Sequence, residues 1–311
     1  MGVDIGGTKI AVATVISGQR SDDRYLARRQ FPTPGTSEDA LKAIIANTRE
    51  LVGAKTIAGL GVSFGGQVRL DQQPRLRSLV VPGWEHVDLA TEFANAFEGA
   101  PTSIANDGEA AARGEYASMP VGQGRDNLAY ITVSTGVGGA FLLNGRVHRG
   151  RHGLAAEVGH LPVRADGECL CGGTGHLEAF ASGPAIARFA EAGLAAAPRI
   201  DSLLRDAARG GGVTARDVDE AARQGDAFAS EILGEAGSLV GRAVAIIGLL
   251  LDPDAVIVGG GVAQAGDAFW LPLRAAARTQ AFHSTDVLPA RLGADSALRG
   301  ALELARDATT E

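Results

Sequence analysis

Residues 4–12 read DIGGTKIAV and residues 133–141 read VSTGVGGAF. Each is a short β-forming run, a glycine turn and a second β-forming run. In the first, Gly6-Gly7 make the turn and Ile10, Val12 and Val15 favour the returning strand. The second follows an apolar strand expected over 127–134 and runs to Leu143, where Asn144-Gly145 signals a type I′ hairpin. The recurrence reads as an internal duplication, one turn per lobe. Glycines let backbone N–H groups approach an anion, the Thr8 hydroxyl donates, and Asp4 can hold Mg²⁺ through water. Such turns suit nucleotide phosphates. An ordinary glycine hairpin has the same local pattern, and the pairing of the two turns is more informative than either. The chain has no Gly-Lys-Ser or Gly-Lys-Thr, so this is no Walker A loop. A strand, not a helix, follows the glycines, which excludes the Rossmann fingerprint. A third run, Gly259-Gly260-Gly261-Val262, closes a buried strand expected over 254–258 and offers exposed backbone to a base or ribose.

Between these turns lies EVGHLPVRADGECLCGGTGHLE, residues 157–178, which holds both cysteines and two of the six histidines. Thiolate and imidazole are the ligands Zn²⁺ prefers, and four of them close a structural tetrahedron. The candidate set is His160, Cys169, Cys171 and His176, with glycines between them that let a short loop fold back. A glycine-rich surface loop with two incidental thiols fits the same spacing. A disulfide between Cys169 and Cys171 would close a very small, strained ring.

The rest is α/β. Helices are expected over 37–51 with Ser37 as N-cap, from Ser182-Gly183-Pro184 onward, after Thr214, from Asp226 to about Leu251, and over 267–280 and 296–306. Gly210-Gly211-Gly212 breaks helices, and Asp252-Pro253 ends the longest. A strand over 56–64 leads into Gly65-Gly66, where backbone can meet a ligand, and Trp84 packs or lines a pocket. A short strand over 101–105 is followed by Asn106-Asp107 and a helix over 108–116. A carboxylate at a helix N-terminus is favoured in its ionised form, which suits a general base; taken alone, Asp107 fits a plain helix cap better.

With 311 residues and 45% hydrophobic content, the chain can form two domains or one large one with a sizeable core, and aromatics at 5% leave that core to Ala, Val, Leu and Ile. A net charge of −7 argues against a nucleic-acid surface. The longest apolar run, 243–251, is too short to span a bilayer, and the first residues carry no secretory signal pattern. A cytoplasmic protein with reduced thiols is the expectation.

Six motifs in order, DIGGTK at 4–9, ANDGEAAARGE at 105–115, STGVGGAF at 134–141, EVGH at 157–160, CLCGGTGHLEAFASG at 169–183 and VIVGGGV at 256–262, resemble the ROK family of repressors and sugar kinases over nearly the full length. The resemblance implies an actin-like, ribonuclease-H-like fold of two α/β lobes with a cleft between them. The smaller lobe would take residues 1–118, with the last helix, 296–311, packing back on it. The larger would take 119–295. ATP phosphates, with Mg²⁺, would lie between Asp4, Gly6, Gly7, Thr8 and Lys9 on one side and Ser134, Thr135, Gly136 and Gly138 on the other. The adenosine would lie on Gly259, Gly260, Gly261 and Val262. Asp107 would take the proton of a sugar hydroxyl. Gly66, Asn106, Glu157, His160 and Glu178 would bind the sugar, and His160 would also ligate a structural zinc. The family pattern has a third cysteine where this chain has His176, so the implied site is Cys₂His₂. Glucose or a related hexose, phosphorylated on its 6-hydroxyl, is the expected substrate; N-acetylmannosamine, N-acetylglucosamine, fructose and allose are alternatives within the family. A repressor would need an N-terminal helix-turn-helix, and the first expected strand starts at residue 2. A non-catalytic sugar sensor would need neither base nor nucleotide loops. Lobe closure would exclude water, and a homodimer is the expected assembly.

Overall fold

The first glycine turn joins β1 (Gly2–Ile5) to β2 (Lys9–Thr14), antiparallel, with Ile5 opposite Ile10. The computed structural model describes residues 1–16, 25–69, 75–78, 80–119, 125–279 and 285–310. These fall into two units: Met1–Gln123 with Val147–Ala155 and Ala294–Glu311, and Gly124–Arg146 with Ala156–Gly293. The segment Val147–Ala155, which the sequence alone assigns to the larger lobe, belongs with the first unit.

In the first unit the chain continues through β3 (Ala27–Pro32), α1 (Ser37–Val52), β4 (Leu60–Phe64), a small hairpin of β5 (Gln67–Arg69) and β6 (Arg75–Arg77), α2 (Leu89–Ala96), β7 (Thr102–Asn106) and α3 (Asp107–Ala117). The sheet order is β3-β2-β1-β4-β7, with β1–β2 and β2–β3 antiparallel and the remaining pairs parallel. One face buries Val3, Ile5, Val62, Phe64, Ile44 and Phe93. Trp84 belongs to this core, 1% exposed and edge-on to Phe64 at 5.5 Å, so it packs.

The second unit holds β8 (Leu128–Val133), β9 (Val137–Leu143), β10 (Arg146–Val147), α4 (Glu178–Ala181), α5 (Gly183–Ala196), α6 (Leu204–Arg209), α7 (Ala215–Arg223), α8 (Ala227–Leu251), β11 (Ala255–Gly259), α9 (Asp267–Ala277) and β12 (Val287–Pro289). Its order is β10-β9-β8-β11-β12, with β8–β9 antiparallel and β8–β11 and β11–β12 parallel. The strand order matches the first sheet position for position, as the duplicated turns suggest, and two such α/β units are what the family resemblance implies. At 25 residues α8 is long and apolar enough to cross a bilayer, longer than the run counted from sequence, but 61% of its apolar window is buried inside the protein. It is the core helix of this unit.

The last helix, α10 (Ser296–Asp307), returns to the first unit. Its backbone lies so close to α3 that a Cβ on Gly300 would fall 1.6 Å from the Ala110 carbonyl oxygen.

Several element ends differ from the sequence reading. The N-cap of α1 is Thr36, not Ser37: Thr36 is extended and its hydroxyl accepts from the Asp39 N–H, whereas Ser37 is already helical and buried. The strand expected from residue 56 begins at Leu60, and the helix expected to Gln280 ends at Ala277; Gln280 lies outside the described residues. Ser182, Thr214 and Asp226 cap α5, α7 and α8 as expected.

Candidate active site and metal centre

Asp107 is the first residue of α3, directly after β7. It is not the cap. Asn106 is, its Oδ1 accepting from the Gly108 N–H at 2.8 Å while its Nδ2 donates to the Gly66 carbonyl at 2.8 Å. Asn106 therefore ties the Gly65-Gly66 turn to the start of the helix, and Gly66 meets it through its carbonyl. The Asp107 carboxylate accepts from the same Gly108 N–H at 2.9 Å. That bond and the helix dipole favour the ionised form, as the sequence reading expects, but they are outweighed. Burial, and then the nearby Asp4 carboxylate, push Asp107 up to about 6.

Asp4, on β1, is raised by burial, against a hydrogen bond of 2.7 Å from the Ser63 hydroxyl. The turn after it is closed by Gly6 N–H to the Lys9 carbonyl at 3.0 Å and braced by the Thr33 hydroxyl on the Gly6 carbonyl at 2.7 Å. A Cβ on Gly6 would lie 2.9 Å from the Lys9 carbonyl oxygen, so the turn needs glycine there for close approach. Thr8 is exposed at the tip, while Gly7 and Lys9 are half-buried.

In the second unit the glycine turns adjoin each other. A Cβ built on Gly261 would lie 3.7 Å from the Ser134 hydroxyl oxygen, and Gly260, at φ +91°, approaches the Val133 carbonyl so closely that a Cβ would fall at 2.3 Å. Ser134 N–H donates to the Gly136 carbonyl at 2.8 Å, closing the turn that carries Thr135 and leads to Gly138. Val262 follows, buried, at the start of a single 3₁₀ turn. The second and third glycine runs of the sequence thus lie side by side, with Thr135 and Gly261 exposed.

His160, Cys169, Cys171 and His176 come together as the spacing suggests. Each offers one ligand atom, and these atoms all lie within 4.8 Å of one another. Cys169 Sγ is 3.9 Å from His160 Nδ1, and Cys171 Sγ is 3.1 Å from His176 Nδ1. A zinc tetrahedron with bonds of about 2.0–2.3 Å has edges of roughly 3.3–3.8 Å, so these residues fit the ion with small shifts. Both cysteines are free thiols. Burial pushes the Cys169 thiol up; a divalent cation would supply the charge that lets both thiols ionise. The loop folds back through Cys169 N–H to the Gly173 carbonyl at 2.8 Å and Gly175 N–H to the Gly167 carbonyl at 2.7 Å.

The other nitrogen of His160, Nε2, lies 3.9 Å from Glu157 Oε2. One imidazole thus faces the thiol cluster with Nδ1 and a carboxylate with Nε2. Glu157 sits in a tight turn, φ −67° and ψ 58°, with Val158 N–H donating to the Ala156 carbonyl at 2.7 Å. Ala156 itself has φ +66°, a left-handed conformation uncommon for alanine, immediately before this carboxylate. Glu178 opens α4, and its Oε2 accepts from the Val137 N–H at 2.9 Å. Sequence reading misses that bond and the Ser63–Asp4 bond, because each joins residues far apart in the chain. It also misses Arg149, whose guanidinium is bidentate on the buried Glu109 carboxylate in the first turn of α3, at 2.7–3.2 Å.

The model of the ROK family matches residues 1–308. The glucokinase of Streptomyces coelicolor is 34% identical over 99% of this chain and 97% of its own length. The N-acetylmannosamine kinase of Escherichia coli O127:H6 is 33% identical over 98% of each chain. Among solved structures, the ROK family glucokinase from Streptomyces griseus in complex with glucose and AMPPNP superposes with a TM-score of 0.83 at 35% identity, covering 98% of each chain. Motif order, duplicated sheets and full-length similarity agree: the chain belongs to the ROK family.

Proposed function

We propose that the protein is an ATP-dependent hexose kinase that phosphorylates the 6-hydroxyl of glucose, with Asp107 as general base. The observation that carries the reading is the Asp107 carboxylate, held near 6 at the junction of β7 and α3 in a chain 34% identical to a glucokinase over nearly its whole length. A base that titrates just below neutral pH is ionised under working conditions and still basic enough to accept the hydroxyl proton as the bond to phosphorus forms. Phosphoryl transfer otherwise depends on positioning and charge.

On this reading Asp4 holds Mg²⁺ through water, and the backbone of Gly6, Gly7 and Thr8, with Lys9, meets the phosphates. Ser134, Thr135, Gly136 and Gly138 do the same from the second unit, and Gly259, Gly260, Gly261 and Val262 receive the adenosine. Asn106 and Gly66, already joined by a hydrogen bond, accept or donate to sugar hydroxyls, as do Glu157, His160 and Glu178. His160, Cys169, Cys171 and His176 would hold zinc, which would supply rigidity and no chemistry, and His160 would keep its Nε2 toward Glu157 and the sugar.

The 33% identity to an N-acetylmannosamine kinase supports a second reading, an amino-sugar kinase with the same base and nucleotide site. ADP release from MgATP with single sugars separates the two. Release with glucose and none with N-acetylmannosamine or N-acetylglucosamine supports the first reading. The reverse pattern supports the second. No release with any sugar, from protein containing zinc, would overturn both.

A further inference from the structure

Glu178 stands two residues after His176 and reaches back to the glycine turn between β8 and β9. Its Oε2 accepts from the Val137 N–H at 2.9 Å, and a Cβ added to Gly136 would lie 2.7 Å from that oxygen. The carboxylate therefore lies flat against the turn. The same stretch of chain holds the turn at two more points. Gly183 N–H donates to the Ser134 carbonyl at 2.7 Å, and Gly159 packs so tightly that a Cβ there would fall 2.0 Å from the Val137 carbonyl oxygen. Glu178 is itself anchored beside the metal loop, with Leu177 N–H on the Leu161 carbonyl at 3.0 Å and Ala179 N–H on the His176 carbonyl at 3.0 Å. Among the described residues its other oxygen, Oε1, has no protein donor.

We propose that Glu178 is a positioning residue for the nucleotide turn, in addition to its contact with sugar, and that through it the sugar and nucleotide sites are coupled. This rests on residues 134–138 being a phosphate turn. Val137 is the turn residue whose N–H the carboxylate takes, so Glu178 holds the backbone conformation that the turn offers to phosphate. A sugar hydroxyl donating to Oε1 would fix the carboxylate and with it the turn. By linkage the nucleotide must then tighten the sugar by the same factor.

The test is calorimetric binding of Mg²⁺-AMPPNP, with and without glucose, to the wild-type protein, Glu178→Ala and Glu178→Gln, with zinc content and thermal unfolding measured alongside. Glutamine keeps an oxygen for the Val137 N–H and replaces the oxygen offered to sugar with a donor. In the absence of sugar, Glu178→Ala should weaken nucleotide binding about tenfold, the loss expected for one hydrogen bond to a charged group. Glu178→Gln should bind nucleotide within about threefold of wild type while glucose binding falls about tenfold. Glucose should tighten nucleotide in the wild type and not in Glu178→Ala. Equal nucleotide affinity in wild type and Glu178→Ala, with zinc retained, would overturn the inference. If Glu178→Ala does not fold, Glu178→Gln decides: nucleotide binding retained with glucose binding weakened supports it, and loss of both alike overturns it. A wild-type protein that binds glucose but no nucleotide would overturn the phosphate-turn reading on which it rests.

Discussion

Asp107 meets two opposing demands, and both leave measurable traces. Burial and the Asp4 charge raise it to about 6, so the base form is lost as pH falls through that value. The value of kcat/KM should therefore rise with pH up to a plateau, with a midpoint near 6; a profile flat down to pH 5 would contradict the assignment. The same shift acts on stability. The folded carboxyl titrates above its unfolded value, so its contribution is fully present below pH 4 and is lost as pH rises through about 6. Asp107→Asn removes that cost. It should lower kcat by on the order of 10²–10⁴ yet stabilise the protein at pH 8 by on the order of 2 kcal/mol, with little gain at pH 4. Thermal unfolding of both proteins at the two pH values checks this. Asp107 was legible in the sequence because its setting, Asn-Asp between a strand and a helix, is local. Its raised pKa was not, because burial and then the Asp4 charge on β1 are supplied by tertiary structure. A reading by helix dipole alone predicts a stable carboxylate, and tertiary burial reverses it.

At the scale of elements, most helices were legible from their ends. Ser182, Thr214 and Asp226 bond the N–H groups that their positions imply, since capping is settled within four residues. What joins one element to another was not legible. The clamp of Arg149 on Glu109 connects the segment Val147–Ala155 to α3, and Arg113 extends it to Asp307 on α10 at 2.7 Å. Arg149→Met should leave the Glu109 carboxylate, which is 8% exposed, with Arg113 as its remaining partner, and cost about 2 kcal/mol in urea unfolding. Adding Glu109→Gln should recover part of that loss; no recovery would mean that the guanidinium acts by packing alone. The approach of α10 to α3 makes a sharper case. Gly300→Ala must force the two backbones apart, and should cost at least 3 kcal/mol by the same assay, where a solvent-facing glycine in a helix would gain about 1 kcal/mol. The metal loop is an element in its own right. Elemental analysis should find about one zinc per chain. His176→Cys should keep it, and His176→Ala should lose it and unfold at lower temperature. Full metal occupancy in His176→Ala would remove that histidine from the ligand set.

For the whole molecule, the duplicated turn carried the most information. DIGGTKIAV and VSTGVGGAF each form an antiparallel hairpin in a sheet of the same strand order, so the repeated hairpin showed the duplication, and the family resemblance supplied the architecture around it. The path of the chain between units was not written in any local pattern. Val147–Ala155 continues directly from a hairpin of the second unit, and its packing on the first, the Glu109 clamp on α3 included, shows where it belongs. The long apolar α8 is likewise read correctly only with the unit around it, because a core helix and a membrane span share one composition. The central claim for the whole chain is catalysis of phosphoryl transfer from ATP to the 6-hydroxyl of a hexose through Asp107. The most direct test is a single-turnover reaction of excess enzyme with MgATP and glucose at pH 8, with the sugar product identified by phosphorus NMR, beside the same reaction with Asp107→Asn. The account predicts stoichiometric glucose 6-phosphate from the wild type, and from the variant a transfer rate slower by at least about a hundredfold with glucose still bound. Equal rates in the two proteins, or a phosphate attached at any other hydroxyl, would contradict it.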